Sequence, residues 1–410
     1  MSDCGLQIDL VLIGFGNVAR GLVTLLQEEQ TRLVRSHGFS TRVVAIATRR
    51  HGRLLSPRGL DAVALAERVS LGEALASRES PRAASCVDFI RHVARTCATA
   101  ARQRRLVVIE TTTLNIERGE PAVSHVRAAL GGGAHVVTAN KAPAAFAYRA
   151  LAAAAARANR RFLFEGAVMD GVPIFNLVRE TLPALRVTGF RGVVNSTTNF
   201  ILTAMEQRED FDAALKRMQD AGIAEADASL DVDGWDAAAK AAALANVLLG
   251  ANVTPHTVAR EGITRDTAIR AVAARAAGKR LKLVVRGIRN GLKAVPYTRN
   301  VVGDRLQAVP NTGTVVGDGL QAVPRVALEE LPADDLLASL EGPQNALILE
   351  TDWLGEIAIV QRDGGLTQTA YALLSDLTTI ARELSAGSRA TRRPPTRARG
   401  DRSRRATDRR

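Results

Sequence analysis

Three cysteines, Cys4, Cys86 and Cys97, are all that the 410 residues contain. Odd in number and without the paired spacing of a zinc knuckle, they support neither a disulfide framework nor a zinc site, and they suit a reducing compartment. No run of about 18 uninterrupted apolar residues occurs, and no basic region leads into an apolar stretch and a small-residue cleavage site. A membrane span and a secretory leader are therefore not expected, and a cytoplasmic location is. Aromatic residues make up only 4% of the chain, whereas alanine is abundant, a balance that suits helix-rich soluble enzymes. An acidic excess is also missing: the formal net charge is +13. Its location decides its meaning. Ten arginines against Asp401 and Asp408 crowd residues 389–410 and account for eight of those thirteen charges, so the body is only mildly basic. With almost nothing apolar to bury, residues 386–410 read as a disordered Arg-rich tail, a solvated extension in preference to a nucleic-acid arm.

What is present is ordinary globular material, 46% hydrophobic and 24% charged, long enough for two or three packed units. Asp9 to Gly14 (DLVLIG) is a short apolar run ending on glycine, as a buried parallel strand does. Helical spacing follows from Val18 to Glu28, and Arg42 to Thr48 (RVVAIAT) reads as a second strand. Arg105 to Glu110 and His135 to Ala139 repeat the pattern, and Pro143 opens a helix that runs to Ala158. The fold class is therefore α/β, with an N-terminal Rossmann-type doubly wound parallel sheet over 1–160. Beyond Phe162 to Phe164 the alternation is mixed, with strands at Val187 to Val194 and Leu281 to Arg286 and helices at Asp210 to Ala221 and Asp233 to Leu249. This predicts a second, α+β domain over 161–364. Within it GLKAVP, RLQAVP and GLQAVP recur at 291, 305 and 319, a local duplication that suggests an added hairpin with no chemistry of its own.

Three places carry candidate chemistry. The first is GFGNVA, residues 14–19, between strand and helix. Gly14 permits a tight turn, Gly16 lets backbone approach a pyrophosphate, and Ala19 lets the helix pack closely, with the helix N-terminus facing the anion. Where an acid would hold the ribose hydroxyls at the end of the second strand, the chain has Arg49 and Arg50. Two guanidinium groups suit a 2′-phosphate, so NADP is favoured over NAD, against the alternative of a merely solvated strand end. The second is Lys141, at the C-terminal edge of a strand, where ligands bind in open α/β sheets, and just before a helix N-terminus that disfavours it. The third is the cluster Glu225, Asp227, Asp231, Asp233 and Asp236, followed by Lys240. With Asp233 as N-cap, Asp236 and Lys240 stand one helical turn apart on one face. They could be a solvated ion pair, but the apolar run AAALANVLLGA after Lys240 places the helix in the interior, with its charged first turn facing a cleft.

Those segments together resemble the homoserine dehydrogenase family. GFGNVA, VVTANK (136–141), EGAVMDGVPI (165–174), GVVNSTTNFIL (192–202), AGIAEADASLDVDGWDAAAK (221–240) and TAYALLSDL (369–377) carry the likeness, in order, to about residue 384. The resemblance implies NAD(P)-linked interconversion of L-homoserine and L-aspartate 4-semialdehyde, on the route to threonine and methionine. It makes Lys240 the proton donor and acceptor, with Lys141 assisting and touching the cofactor. It places Gly222, Glu225, Asp231 and Asp236 around the substrate, with Glu225 and Asp236 on its ammonium group. It assigns cofactor contacts to Gly14, Phe15, Gly16, Asn17, Val18, Thr111, Thr112, Gly364 and Gly365. It also implies that a helix over 365–385 completes the nucleotide domain, and that the sheet of the second domain forms a homodimer. Family members often hold a sodium ion on backbone oxygens, here at Glu165, Val168, Asp170 and Val172, although Met169 and Asp170 replace smaller residues. With only the Arg-rich stretch after 385, the short form without a regulatory ACT domain is expected.

Overall fold

The computed structural model describes residues 5–75, 84–97, 105–220, 227–289 and 323–390. Six strands make the first sheet: β1 (Leu6–Ile13), β2 (Phe39–Ala47), β3 (Arg53–Leu55), β4 (Leu106–Glu110), β5 (His135–Thr138) and β6 (Phe162–Leu163). Their order is β3-β2-β1-β4-β5-β6, all parallel except the short β3. The order reverses direction at β1, which lies between β2 and β4, and a crevice for a ligand opens at the C-terminal ends there.

The unbroken apolar runs are explained by cover on both faces. Val11 and Ile13 of β1 join Phe89, Ile90, Val93 and Val126 of helices α4 (Cys86–Thr96) and α5 (Ala122–Gly131) on one side. Ile8, Leu10 and Leu12 join Ala19 and Leu22 of α1 (Asn17–Glu28), Leu65 of α3 (Ala62–Ser70) and the last helix, α11 (Leu366–Ala390), on the other. Helix α2 (Gln30–His37) links α1 to β2. The C-terminal helix thus packs on the first sheet: a Cβ at Gly21 would meet Ala370 at 3.3 Å. Leu373, Leu377 and Ile380 are each 0% exposed, and burying each is worth about 1.5–3 kcal/mol.

The second sheet contains β7 (Val187–Val193), β8 (Ala259–Arg260), β9 (Lys279–Ile288), β10 (Arg325–Pro332), β11 (Asn345–Thr351) and β12 (Gly355–Gln361), in the order β12-β11-β7-β9-β10-β8. Its pairings are antiparallel apart from the two-residue β8–β10 contact. Along β9 the alternation is sharp. Leu281, Leu283 and Val285 enter the main core below α7 (Ser196–Met205), α9 (Trp235–Leu248) and α10 (Thr267–Ala276), while Val284 faces Leu337, Leu340 and Ile348 on the far side. Helix α8 (Phe211–Asp220) packs beside α7.

The two sheets are joined where α9 lies along α6 (Ala142–Ala158). At Ala147 the backbone of α6 leaves helical geometry (φ −145°, ψ 19°), which interrupts the ladder on the carbonyls of the preceding turn. Buried Asn246 of α9 donates to those carbonyls, Ala144 O at 3.1 Å and Ala145 O at 3.2 Å.

One expected detail is corrected. Asp233 does not cap the helix that carries Lys240. A one-turn helix over Ser229–Val232 leaves Asp233 in right-handed geometry (φ −77°, ψ −2°), and Gly234, at φ +77°, precedes Trp235 as the cap. Only glycine is accommodated there without strain, because a Cβ would lie 2.6 Å from Glu261 O. The 291, 305 and 319 repeat lies outside the described residues apart from its last two positions, and the segment from 391 to 410 lies outside them entirely.

Candidate active site

Asp236 is the centre of the charged cluster. It sits in the first turn of α9, and its Oδ2 is 3.0 Å from Lys240 Nζ one turn further on. Its Oδ1 is 3.1 Å from Lys141 Nζ, which arrives from the other domain at the start of α6. Lys240 also donates to Val194 O at 2.5 Å, a carbonyl just beyond β7. Burial by itself would raise the Asp236 carboxyl, but the two ammonium groups and the Asn195 amide hold it well below its ordinary value. Lys141 is raised in return, chiefly by Asp236, against the cost of burial. The three groups are therefore a fixed charge pattern, cation–anion–cation, with Lys141 a quarter exposed and Lys240 nearly closed off.

Asn195 organises the carboxylates. Its side chain caps α7, accepting from Thr198 N at 2.8 Å, and its Nδ2 donates to Asp231 Oδ1 at 2.7 Å and Asp236 Oδ2 at 2.9 Å. Burial and the neighbouring Asp236 push the Asp231 carboxyl up, so an arriving cation would favour its charged form. Asp227 is exposed and Asp233 turns its side chain to solvent. Gly222 and Glu225 lie outside the described residues.

The glycine turn stands at the same edge. By register Ile13 is level with Ala47 and Glu110, and Glu110 with Thr138, so Gly14, Thr111 and the Asn140-Lys141 pair all leave adjoining strands at their C-terminal ends. Gly14 has φ +88° and no room for a Cβ, which would lie 2.8 Å from the Thr111 backbone. Gly16 is the opposite case, with nothing within 4 Å of a Cβ position and no side chain capping α1. Open space before an uncapped helix N-terminus fits an anion, so these residues fit a nucleotide's phosphates. Phe15 points the other way, 4% exposed in the core, leaving its backbone to face the crevice. Asn17 holds Arg20, and Val18 is half-buried on the first turn.

The turn after β4 is rigid. Thr111 N donates to Ile13 O at 2.8 Å, Thr112 N donates to Glu110 Oε1 at 3.2 Å, and Asn140 Nδ2 donates to Thr112 O at 2.8 Å. Arg49 and Arg50 are exposed just past β2, beside that crevice, with no hydrogen bond or ion pair to another described residue.

Comparison with known proteins places this arrangement. Residues 173–378 match the family described as "Homoserine dehydrogenase", and residues 14–165 match "Homoserine dehydrogenase, NAD binding domain". The chain belongs to the homoserine dehydrogenase family. It is 34% identical over 372 residues to the NAD(+)-dependent homoserine dehydrogenase of Pseudomonas canavaninivorans, covering 90% of this chain and 95% of that one. It is 32% identical to the homoserine dehydrogenase of Methanocaldococcus jannaschii, covering 90% and 97%. A solved homoserine dehydrogenase from Thiobacillus denitrificans superposes with a TM-score of 0.69 at 28% identity, over 95% of this chain and 76% of that one. The chain is thus an NAD(P)-dependent oxidoreductase of amino-acid biosynthesis.

In this chain the loop expected to hold a cation has its side chains engaged elsewhere. Glu165 accepts from Ile174 N, Phe175 N and Asn176 N at 2.6, 2.9 and 2.5 Å, and Asp170 accepts from Thr369 Oγ1 at 3.0 Å and Gln361 Nε2 at 3.2 Å. Among the described residues no three His, Cys, Asp or Glu side chains gather to hold a metal, so a cation here would rest on main-chain oxygens. Gly364 and Gly365 are exposed beside this loop, and a Cβ on Gly364 would meet Asp170 Oδ2 at 2.9 Å. Asn195 and Asn246 were not foreseen as site-builders. Asn195 stands in the NSTTNFIL stretch, where its N-cap pattern was the available signal; Asn246, inside an apolar run, offered only its polarity.

Proposed function

We propose that Lys240 gives and takes the proton at the substrate oxygen as L-homoserine and L-aspartate 4-semialdehyde interconvert, with Lys141 supporting it. The observation that carries this is the one carboxylate, Asp236, held between both lysines. The nicotinamide, when bound, supplies or accepts the hydride. Lys240, aimed by Asp236 and the Val194 carbonyl, meets the charge that develops on the oxygen and hands over a proton where water has little access. Glu225 and Asp236 take the substrate's ammonium group in this reading, with Gly222 and Asp231 as the other substrate residues.

Gly14 to Val18, Thr111, Thr112, Gly364 and Gly365 hold the cofactor, on a unit made of residues 1–160 and the C-terminal helix. Arg49 and Arg50 favour NADP. A sodium ion, where one binds, takes main-chain oxygens of Glu165, Val168, Asp170 and Val172. No helix among the described residues is long and apolar enough to cross a membrane; the cytoplasmic location is our reading from the biosynthetic family to which the chain belongs. Self-association through the second sheet is supported by its edge strand β12, where Val360 is 43% exposed, and by Trp353, 76% exposed, at the hairpin before it. Sedimentation of Val360→Lys tests this by yielding monomers.

The deciding experiment is steady-state reduction of NAD and NADP with L-homoserine, with threonine and malate as rival substrates. Turnover of homoserine alone, faster with NADP, is the expected result. Failure with both nicotinamides would sink the assignment of these residues.

A further inference from the structure

Lys141 meets Asp236 across the two domains, and the turn that follows Lys141 is cut off from the rest of its helix. At Ala147 the backbone of α6 leaves helical geometry, so residues 142–146 are aimed by what touches them and not by the helix behind them. Asn246 holds that turn by the carbonyls of Ala144 and Ala145. Phe146, its last residue before the break, is held by a row of rings that begins on α9. Trp235, the first residue of α9 and the neighbour of Asp236, meets His256 edge-on, with ring centroids 5.1 Å apart and planes at 68°. His256, in the short turn Pro255–Thr257, meets Phe146 in the same manner, at 6.1 Å and 66°. Arg260 of β8 ends the row, its guanidinium carbon 3.6 Å from the centroid of the Trp235 ring, while the same group donates to Asp233 O.

The row is also fastened to the cofactor edge. His256 Nε2 lies 2.9 Å from Glu117 O, on the loop that continues from Thr111 and Thr112, and since a carbonyl only accepts, Nε2 is the donor. In the same loop a Cβ on Gly119 would lie 2.8 Å from the Phe146 ring. His256 itself is exposed, between two half-buried rings, and adds little to the core. Its contacts join α9, α6 and the 111–119 loop, the elements that carry Asp236, Lys141 and the Thr111–Thr112 turn.

We propose that Trp235, His256 and Phe146 are a latch that holds Lys141 on Asp236, which makes Trp235 and His256 positioning residues for the proton transfer; the inference rests on the role given above to Lys141. Edge-to-face pairs favour one separation and tilt of their rings, and the guanidinium over Trp235 steadies the end of the row that lies beside Asp236. Without the central ring, the Lys141 turn swings on the break at Ala147 and the ammonium group leaves the carboxylate. A small misplacement of a group that assists the reaction is enough to slow it.

Acetylation of lysine amines by N-acetoxysuccinimide, read peptide by peptide in the full chain, tests the latch without turnover. Only the unprotonated amine reacts, and Asp236 keeps Lys141 protonated by raising its ammonium against the cost of burial. Lys141 should therefore react at least about fivefold faster in His256→Ala than in the parent, while exposed Lys216 reacts equally in both. In turnover, His256→Ala should lower kcat about tenfold with KM for homoserine within about twofold, the scale of one edge-to-face pair lost. His256→Phe, which keeps both ring contacts and loses only the bond to Glu117 O, should bring kcat back to within about twofold of the parent. In a Lys141→Ala background the same His256→Ala change should cost less than about twofold, because the residue it acts through is gone. Trp235→Leu empties the row from its other end and should speed Lys141 acetylation in the same way should His256→Ala not fold. Equal acetylation of Lys141 in parent and variant, costs that multiply in the double variant, or a phenylalanine variant as slow as the alanine one would each overturn the proposal. Lys141→Ala with kcat unchanged fails the role given to Lys141, and acetylation then decides the latch by itself; Lys141→Ala with kcat lowered and acetylation unmoved by His256→Ala fails the latch alone.

Discussion

Two lysine environments show what separates the lysines proposed to act in the reaction from one that is only buried. Lys282 of β9 is 0% exposed, more deeply enclosed than Lys141 or Lys240, and its Nζ donates to Asn199 Oδ1 at 2.9 Å and Leu340 O at 2.5 Å. Those partners are neutral. Burial lowers its ammonium to about 8, with Arg280 adding and Glu206 and Glu341 pulling back. Lys141 and Lys240 instead share a carboxylate, and Lys141 keeps a quarter of its side chain open. Burial alone therefore does not mark the proposed reaction centre; a paired charge with room for a third group does. Lys282 spends its hydrogen bonds pinning the loop at 340–344 to α7, since Asn199 also donates to Gly342 O and Gln344 O.

The largest effect that tests this contrast falls on Lys240. Lys240→Ala removes the proposed general acid and should lower kcat by about 10²–10⁴ while thermal unfolding changes little. A variant with kcat within tenfold of the parent would move the proton transfer to Lys141.

Lys282 should behave in the opposite way, altering stability and not turnover. Its folded value of about 8 lies below the unfolded one, so between about 8 and 10.5 the unfolded chain binds more protons and stability rises with pH, by about 3 kcal/mol over that window. Below pH 8 the group is charged in both states and the full burial cost remains. Lys282→Met should flatten this rise in urea unfolding at pH 7.5 and 10, and leave kcat unchanged. A pH slope equal to the parent's would place the titration elsewhere.

The contrast also explains what could be read in the sequence. The strand runs, the Gly14 turn and the Asp236–Lys240 spacing were legible because each depends on neighbours within a turn or a strand. The shared carboxylate was only half legible, since Lys141 reaches Asp236 across 95 positions of chain. Asn195 lies 36 and 41 positions from its two carboxylates, and no local pattern encodes that. Asp233 misled because its residue type favours an N-cap, whereas the close approach of Glu261 requires glycine at the next position. Glu165 shows the same limit: its carboxylate caps three amides that only the folded loop brings together.

Asn195→Ala should have a smaller effect than either lysine change. Removing Nδ2 leaves Asp231 and Asp236 facing each other without a shared donor, and kcat/KM for homoserine should fall about tenfold, the scale of one hydrogen bond to a charged group. Loss of the α7 cap adds about 1 kcal/mol of instability. Asn195→Asp separates the two losses, because it can still cap α7 while adding a third negative charge; its kcat/KM should be lower than that of the alanine variant. Equal values for the two would mean that the cap alone matters.

The smallest effect is expected at the far end of the cofactor crevice. Arg49 and Arg50 are exposed and free of protein partners among the described residues, so each can offer a 2′-phosphate only a screened, solvent-facing contact. Such a contact is worth up to about 1 kcal/mol, or about fivefold in KM. Arg49→Ala and Arg50→Ala should each raise KM for NADP by about two- to fivefold with KM for NAD unchanged, and the difference should shrink as salt rises from about 50 to 500 mM, because exposed charges are screened. The Pseudomonas canavaninivorans relative, named for NAD(+), makes the comparison sharp. If both variants leave the NADP to NAD ratio of kcat/KM where it stood, the arginines are solvent-facing strand-end residues, and whatever cofactor preference the enzyme has is set by the backbone of the Gly14 turn and the space before α1.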